Sequence, residues 1–136
     1  MIMEGSRPIL VEIQALVTES FSPVPKRIFS GIDFNRGQLL VAVAQKVLGI
    51  PLYKEDVFVA VSGGIKISDP GVDLAVIGAI YSSYKNEVLK NGKVLVGEVS
   101  LLGQVRKVKM AERREKEIKS LGKEMLTIYS IRELKE

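Results

Sequence analysis

Gly63-Gly64-Ile65-Lys66-Ile67-Ser68-Asp69-Pro70-Gly71-Val72-Asp73-Leu74-Ala75-Val76 joins a strand-like run to a helix-like one. On its N-terminal side, Val57-Phe58-Val59-Ala60-Val61 is dense in β-branched and aromatic residues and runs into Ser62-Gly63-Gly64. Residues 56–61 therefore read as a buried strand that closes in a turn or bulge. Ile65 to Ile67 can add a short strand. On the C-terminal side, Asp69-Pro70-Gly71 opens a helix through about Tyr84. There Leu74, Ile77, Ala79, Ile80 and Tyr81 cover nearly the whole circumference, which predicts the most buried helix of the chain. Asp69 and Asp73 complement the positive end of that helix; a metal site or an acid/base pair is the other use of carboxylates so placed.

Upstream, Val11, Ile13, Ala15 and Val17 alternate with Glu12 and Gln14, the period of a half-exposed strand from Ile9 to Val17. Thr18 to Pro25, with Ser20, Ser22, Pro23 and Pro25, is a loop, and Lys26 to Ile32 reads as a second strand, expected to pair antiparallel with the first. Asp33 or Asn35 can cap the next helix, where Leu39, Leu40, Val43, Ala44, Val47 and Leu48 recur at helical spacing until Gly49 stops it. Downstream, Lys93 to Val99 and Gly103 to Val108 read as strands around a tight Leu101-Leu102-Gly103 turn. Met110 to Leu121 is a charged helix with a thin apolar face of Met110, Ile118 and Leu121, ended by Gly122, and Met125 to Tyr129 can form a last strand. The order predicts an α/β (α+β) fold, a mixed sheet with packed helices, in one domain over residues 1–136, with no repeat and no dividing linker.

Composition narrows the chemistry. With 136 residues, 46% hydrophobic and 26% charged, the chain can bury a real core. No apolar run approaches the roughly 18 residues that cross a bilayer, and Met1-Ile2-Met3-Glu4 lacks a signal pattern, so the chain reads as cytoplasmic without a membrane partner. It contains neither cysteine nor histidine. That removes disulfides, thiol nucleophiles, Cys- or His-based metal sites and His-assisted hydrolysis. Ser/Lys chemistry, paired carboxylates or no catalysis remain. Ser62 lies in a turn without the Gly-x-Ser-x-Gly of a nucleophile elbow, and turn chemistry accounts for it. No phosphate-cradling glycine motif occurs, so any ATPase lies outside this segment.

The net charge of +4 is unevenly spread: residues 1–102 hold ten basic and ten acidic side chains, residues 103–136 ten and six. Arg106, Lys107, Lys109, Arg113 and Arg114 run from a strand end into the charged helix, a pattern suited to salt-sensitive contact with DNA phosphates. Lys26 and Arg27, beside two prolines, could extend that track if both sets share one surface. Interleaved Glu112, Glu115 and Glu117 favour a second reading, a solvated face laced with weak ion pairs. Among the aromatics, only Tyr84 and Tyr129 are candidates for exposed stacking platforms.

Further motifs carry a resemblance. Glu4-Gly5-Ser6-Arg7-Pro8-Ile9-Leu10-Val11-Glu12-Ile13-Gln14-Ala15-Leu16-Val17, Gly31-Ile32-Asp33-Phe34-Asn35-Arg36, Asp56-Val57-Phe58-Val59, Gly63-Gly64-Ile65, Asp73-Leu74-Ala75 and Gly97-Glu98-Val99 resemble, in order and over about residues 4–130, the C-terminal domain of the bacterial RadA (Sms) family of DNA repair and recombination proteins. The resemblance implies a Lon protease-like domain with the fold of ribosomal protein S5 domain 2, excised from a longer chain whose Met1 need not be native. It further implies a parent with a zinc-binding module and a RecA-like ATPase, so that Zn, ATP and Mg belong to parts absent here. It implies a homo-hexamer working as an ATP-dependent helicase in branch migration, with DNA and recombinase proteins as partners.

Active Lon proteins place the nucleophilic serine directly after a proline at the mouth of the buried helix. Here Pro70 is followed by Gly71. Counting from Gly97-Glu98 to the position of the partner lysine leads to Glu112, whose carboxylate is a poor substitute for a desolvated amine. No catalytic residue is expected, and a peptidase using another serine is the remote alternative. A scaffold that organises a ring without touching DNA is the other.

Overall fold

Strands β1 (Ile2–Glu4) and β2 (Arg7–Ile9) form an antiparallel hairpin through Gly5, and β3 (Ile13–Glu19) follows. The computed structural model describes residues 1–136, the side chain of Asn91 excepted. The strand read as starting at Ile9 thus divides: Leu10 to Glu12 fall between β2 and β3. β4 (Arg27–Ser30) comes next, then helix α1 (Phe34–Leu48), then β5 (Glu55–Val61).

β3 and β4 do not pair with each other, contrary to the expectation of an antiparallel pair. β5 lies between them, antiparallel to β3 and parallel to β4, which makes the sheet mixed. The reason is the β4–α1–β5 connection: a helix between two strands permits the parallel neighbour that a short loop cannot. β5, with Val57, Val59 and Val61 buried as its β-branched run predicted, takes the centre of the sheet.

Asp33 caps α1, its carboxylate accepting from Arg36 N at 3.0 Å, and Gly49 ends it at φ 68°. Leu40, Val41, Val43, Ala44 and Leu48 are buried, whereas Leu39, expected on the apolar stripe, is 45% exposed. Gly37 lets the helix approach the sheet, since a Cβ there would meet the Phe29 ring.

After a single helical turn over Pro70–Val72, α2 (Asp73–Lys85) buries Leu74, Val76, Ile77, Ile80 and Tyr81 and is the most enclosed helix, as predicted. Each such aliphatic side chain contributes about 1.5–3 kcal/mol at most. Ser83 fixes the helix to the sheet by accepting from Val17 N at 2.9 Å.

The last third has less regular structure than its sequence suggested. β6 (Glu98–Val99) and β7 (Val105–Arg106) form a short hairpin in place of two longer strands, and α3 (Ala111–Ser120) follows. Ile65–Ile67 and Met125–Tyr129 supply isolated bridges, Ile67 to Ile32 and Met125 to Val94, rather than strands. A final helical turn, Ile131–Lys135, was not foreseen; it buries Ile131 and Leu134 and is closed by a Ser130–Glu133 capping box. No helix among the described residues is long and apolar enough to cross a membrane.

Candidate nucleic-acid interface

The two stretches read first from the sequence meet at the mouth of α2. Gly97 N donates to Gly71 O and Leu74 N to Gly97 O, both at 3.0 Å, while Val99 N donates to the Asp73 carboxylate at 3.0 Å. Gly97 has no room for a side chain between Val105 and Leu74. Asp73 is fully buried and is gripped by Arg36, Nε to Oδ1 at 3.1 Å and Nη2 to Oδ2, and Nη2 also donates to Val99 O at 3.1 Å. This bidentate contact raises the Arg36 pKa against the opposing effect of burial. The pair ties α1, α2 and β6 together.

Gly71 faces Arg114, not Glu112. A Cβ at position 71 would strike Arg114 Nη1, and Arg114 is 2% exposed. Its guanidinium bonds Asp69 at 2.9 and 3.3 Å, Met1 O at 3.2 Å and Lys109 O at 3.1 Å. Counting along the chain missed this because α3 turns its Arg114 and Ile118 inward together, four residues apart on one face. The exposed Met110 and Leu121 do not form that face. The space in front of Gly71 is occupied by the Arg114–Asp69 ion pair.

Burial pushes the Asp69 carboxyl up, but hydrogen bonds from Gly71 N, Met3 N and Arg114 outweigh it and hold the group below its ordinary 3.8. A carboxyl depressed in the folded state stabilises fully above the unfolded value and loses that contribution as pH falls through the folded one. Stability therefore drops below about pH 4, and Asp69→Asn flattens that drop. Urea unfolding at a series of acidic pH values checks this; an unchanged acid slope in Asp69→Asn would contradict it.

Of the basic residues predicted to meet DNA, Arg114 is withdrawn into this ion pair. Arg27 is half-buried and donates to Leu52 O at 2.7 Å and to Glu55 O, and burial lowers its pKa despite nearby Asp56. Lys26 is exposed, and its backbone N donates to Asp56 at 2.7 Å. Of the two, Arg27 is spent on backbone carbonyls and Lys26 keeps an exposed side chain.

Arg106, Lys107, Lys109 and Arg113 are exposed, and among the described residues none is in an ion pair. Lys116, exposed one turn beyond Arg113, joins them; the i, i+3 spacing on α3 would have revealed it. Glu112 and Glu115 line a recess of about 310 Å³ together with Arg106 and Lys107 and moderate the charge there. Tyr129, 75% exposed, borders the same recess, while Tyr84 packs against the core. Phe21 and Tyr53, 94% and 64% exposed, are surface aromatics besides the two named from the sequence.

The chain is 48% identical over 120 residues to the DNA repair protein RadA of Helicobacter pylori strain J99 and 44% identical over 120 residues to that of Bacillus subtilis strain 168. It belongs to the RadA family. The matches cover 88% of this chain and 27% and 26% of those relatives, so it spans about a quarter of their length. The RadA of Campylobacter jejuni is 47% identical over 118 residues. No protein-family model matches the chain. Among the described residues no group of three or more acidic side chains is placed to hold a metal ion.

Proposed function

We propose that this segment is a DNA-contacting, non-proteolytic module of a DNA repair protein, holding phosphates with Arg106, Lys107, Lys109 and Arg113 where β7 leads into α3. The observation that carries the reading is that these exposed cations, with Lys116, are free of carboxylate partners among the described residues. Phosphate contacts of this kind position a protein on DNA without reading sequence. The relatives named for DNA repair support the same reading.

In this reading the domain keeps a Lon protease-like, S5 domain 2-like fold without its chemistry: position 71 has no hydroxyl and Arg114 fills the space before it. Hexamer assembly, helicase action in branch migration and contact with recombinases belong to the parent, as do ATP, Mg and Zn. Charge reversal of Arg106 and Arg113 in the full-length parent tests the proposal: DNA affinity and branch migration fall. Unchanged values would leave a ring scaffold in its place, the reading that Glu112 and Glu115 beside Arg106 and Lys107 favour.

A further inference from the structure

We propose that the tip of the β6–β7 hairpin, Leu101 and Leu102, is an apolar wedge that enters between base steps of a DNA duplex while Arg106 and Lys107 hold the adjoining phosphates. The inference rests on the DNA-binding reading above and adds the part of the surface that deforms the duplex.

Leu101 and Leu102 are 69% and 73% exposed, neighbours on one turn. A single exposed leucine is ordinary, but two side by side on a braced tip are not explained by packing. The turn is braced throughout. Ser100 N donates to Gln104 O and Gly103 N to Ser100 O, both at 2.9 Å, and Ser100 Oγ accepts from Leu102 N at 3.3 Å and Gln104 N at 3.1 Å. Gly103, at φ 82°, is pressed against Val47 and Ile131, and Ile131 N donates to its carbonyl at 2.9 Å. Substitution there would be strained and crowded, so the backbone that presents the leucines is fixed before any partner arrives.

Charge beside the tip selects the partner. A recess of about 380 Å³ is lined by both leucines together with Ser100, Gln104, Arg36, Arg106 and one carboxylate, Glu98. Arg36 is committed to Asp73, and Glu98, the cross-strand partner of Arg106, shares its face and offsets part of its charge, so the following Lys107 adds the second outward cation. An anionic rim beside stacked apolar surface is what a duplex presents, and leucine is among the side chains that unstack base steps from such a position.

The test uses a duplex carrying 2-aminopurine at successive positions, with anisotropy and 2-aminopurine fluorescence read together for the wild-type chain and Leu101→Ser/Leu102→Ser. Both side chains are exposed, and an unchanged melting temperature confirms folding of the variant. Binding by the wild type with a rise in fluorescence, and binding with the same salt slope but no rise in the variant, is the expected result. Wild-type binding without a rise overturns the wedge and leaves the DNA reading standing; no wild-type binding overturns both. A wild type that self-associates in sedimentation while the variant does not assigns the leucines to a second copy and overturns the wedge. Leucine-dependent binding to phosphatidylserine vesicles would overturn it in favour of a lipid surface.

Discussion

Arg36→Ala lowers the unfolding free energy by about 3–5 kcal/mol, because it leaves a charged carboxylate stranded in the interior. Asp73 is fully buried and is satisfied by Arg36 and Val99 N; the backbone N–H alone does not compensate its charge. The exposed third of the Arg36 side chain does not soften this, since the cost arises at the buried partner. Asp73→Ala in the Arg36→Ala background recovers part of the loss by removing that charge, the non-additive signature of a coupled pair. Urea unfolding of the two single variants and the double variant checks both statements. An Arg36→Ala variant within about 1 kcal/mol of wild type would show that the pair is unimportant. The same substitution releases Val99 O, so it also loosens the hairpin that carries Arg106.

Arg114→Ala costs about 3 kcal/mol, near the low end of the range for breaking a buried pair, since Asp69 keeps the N–H groups of Gly71 and Met3. It also empties the space in front of Gly71. Gly71→Ser alone is destabilising because its Cβ collides with the guanidinium, whereas in the Arg114→Ala background that collision is gone, the Asp69 Oδ1 contact at 3.1 Å remains, and the serine is tolerated better. The double variant is therefore more stable than the sum of the single effects requires, which denaturation of the four proteins measures. Additive losses would mean that the two residues do not share the space. Hydrolysis of unfolded casein by the wild type would contradict a non-proteolytic module.

Much of this architecture was legible because periodicity and turn chemistry agreed. Asp33 and Gly49 bounded α1, the Val57–Val61 run marked a buried strand, and the all-round apolar pattern of 74–81 marked the enclosed helix. Strand order was not legible. Nothing in Ile13–Glu19 or Arg27–Ser30 says that the later Glu55–Val61 lies between them, because pairing is decided by long-range packing. The strands expected at 93–99 and 103–108 shrank to a two-residue pair each, with backbone bonds such as Val105 N to Tyr129 O and Leu126 N to Val94 O outside any regular ladder.

The candidate site was half readable. The basic surplus after residue 102 pointed to Arg106, Lys107, Lys109 and Arg113, which are all exposed. Arg114 was misplaced because composition treats all arginines alike, although its spacing from Ile118 placed it on the inward face. The commitment of Arg27 to the carbonyls of Leu52 and Glu55 depends on a contact across the fold that no local pattern encodes. Asp69 and Asp73 were assigned to the helix end, and the arginines that bind them come from sequence positions 45 and 37 residues away.

Fluorescence anisotropy of a labelled duplex across a salt series tests the central claim most directly, comparing the wild-type chain, Arg106→Ala/Arg113→Ala and Lys26→Ala. The account predicts affinity that falls with salt, a slope reduced by about 2 in the double variant, and Lys26→Ala indistinguishable from wild type. No binding at low salt, or a double variant that binds like the wild type, would contradict it.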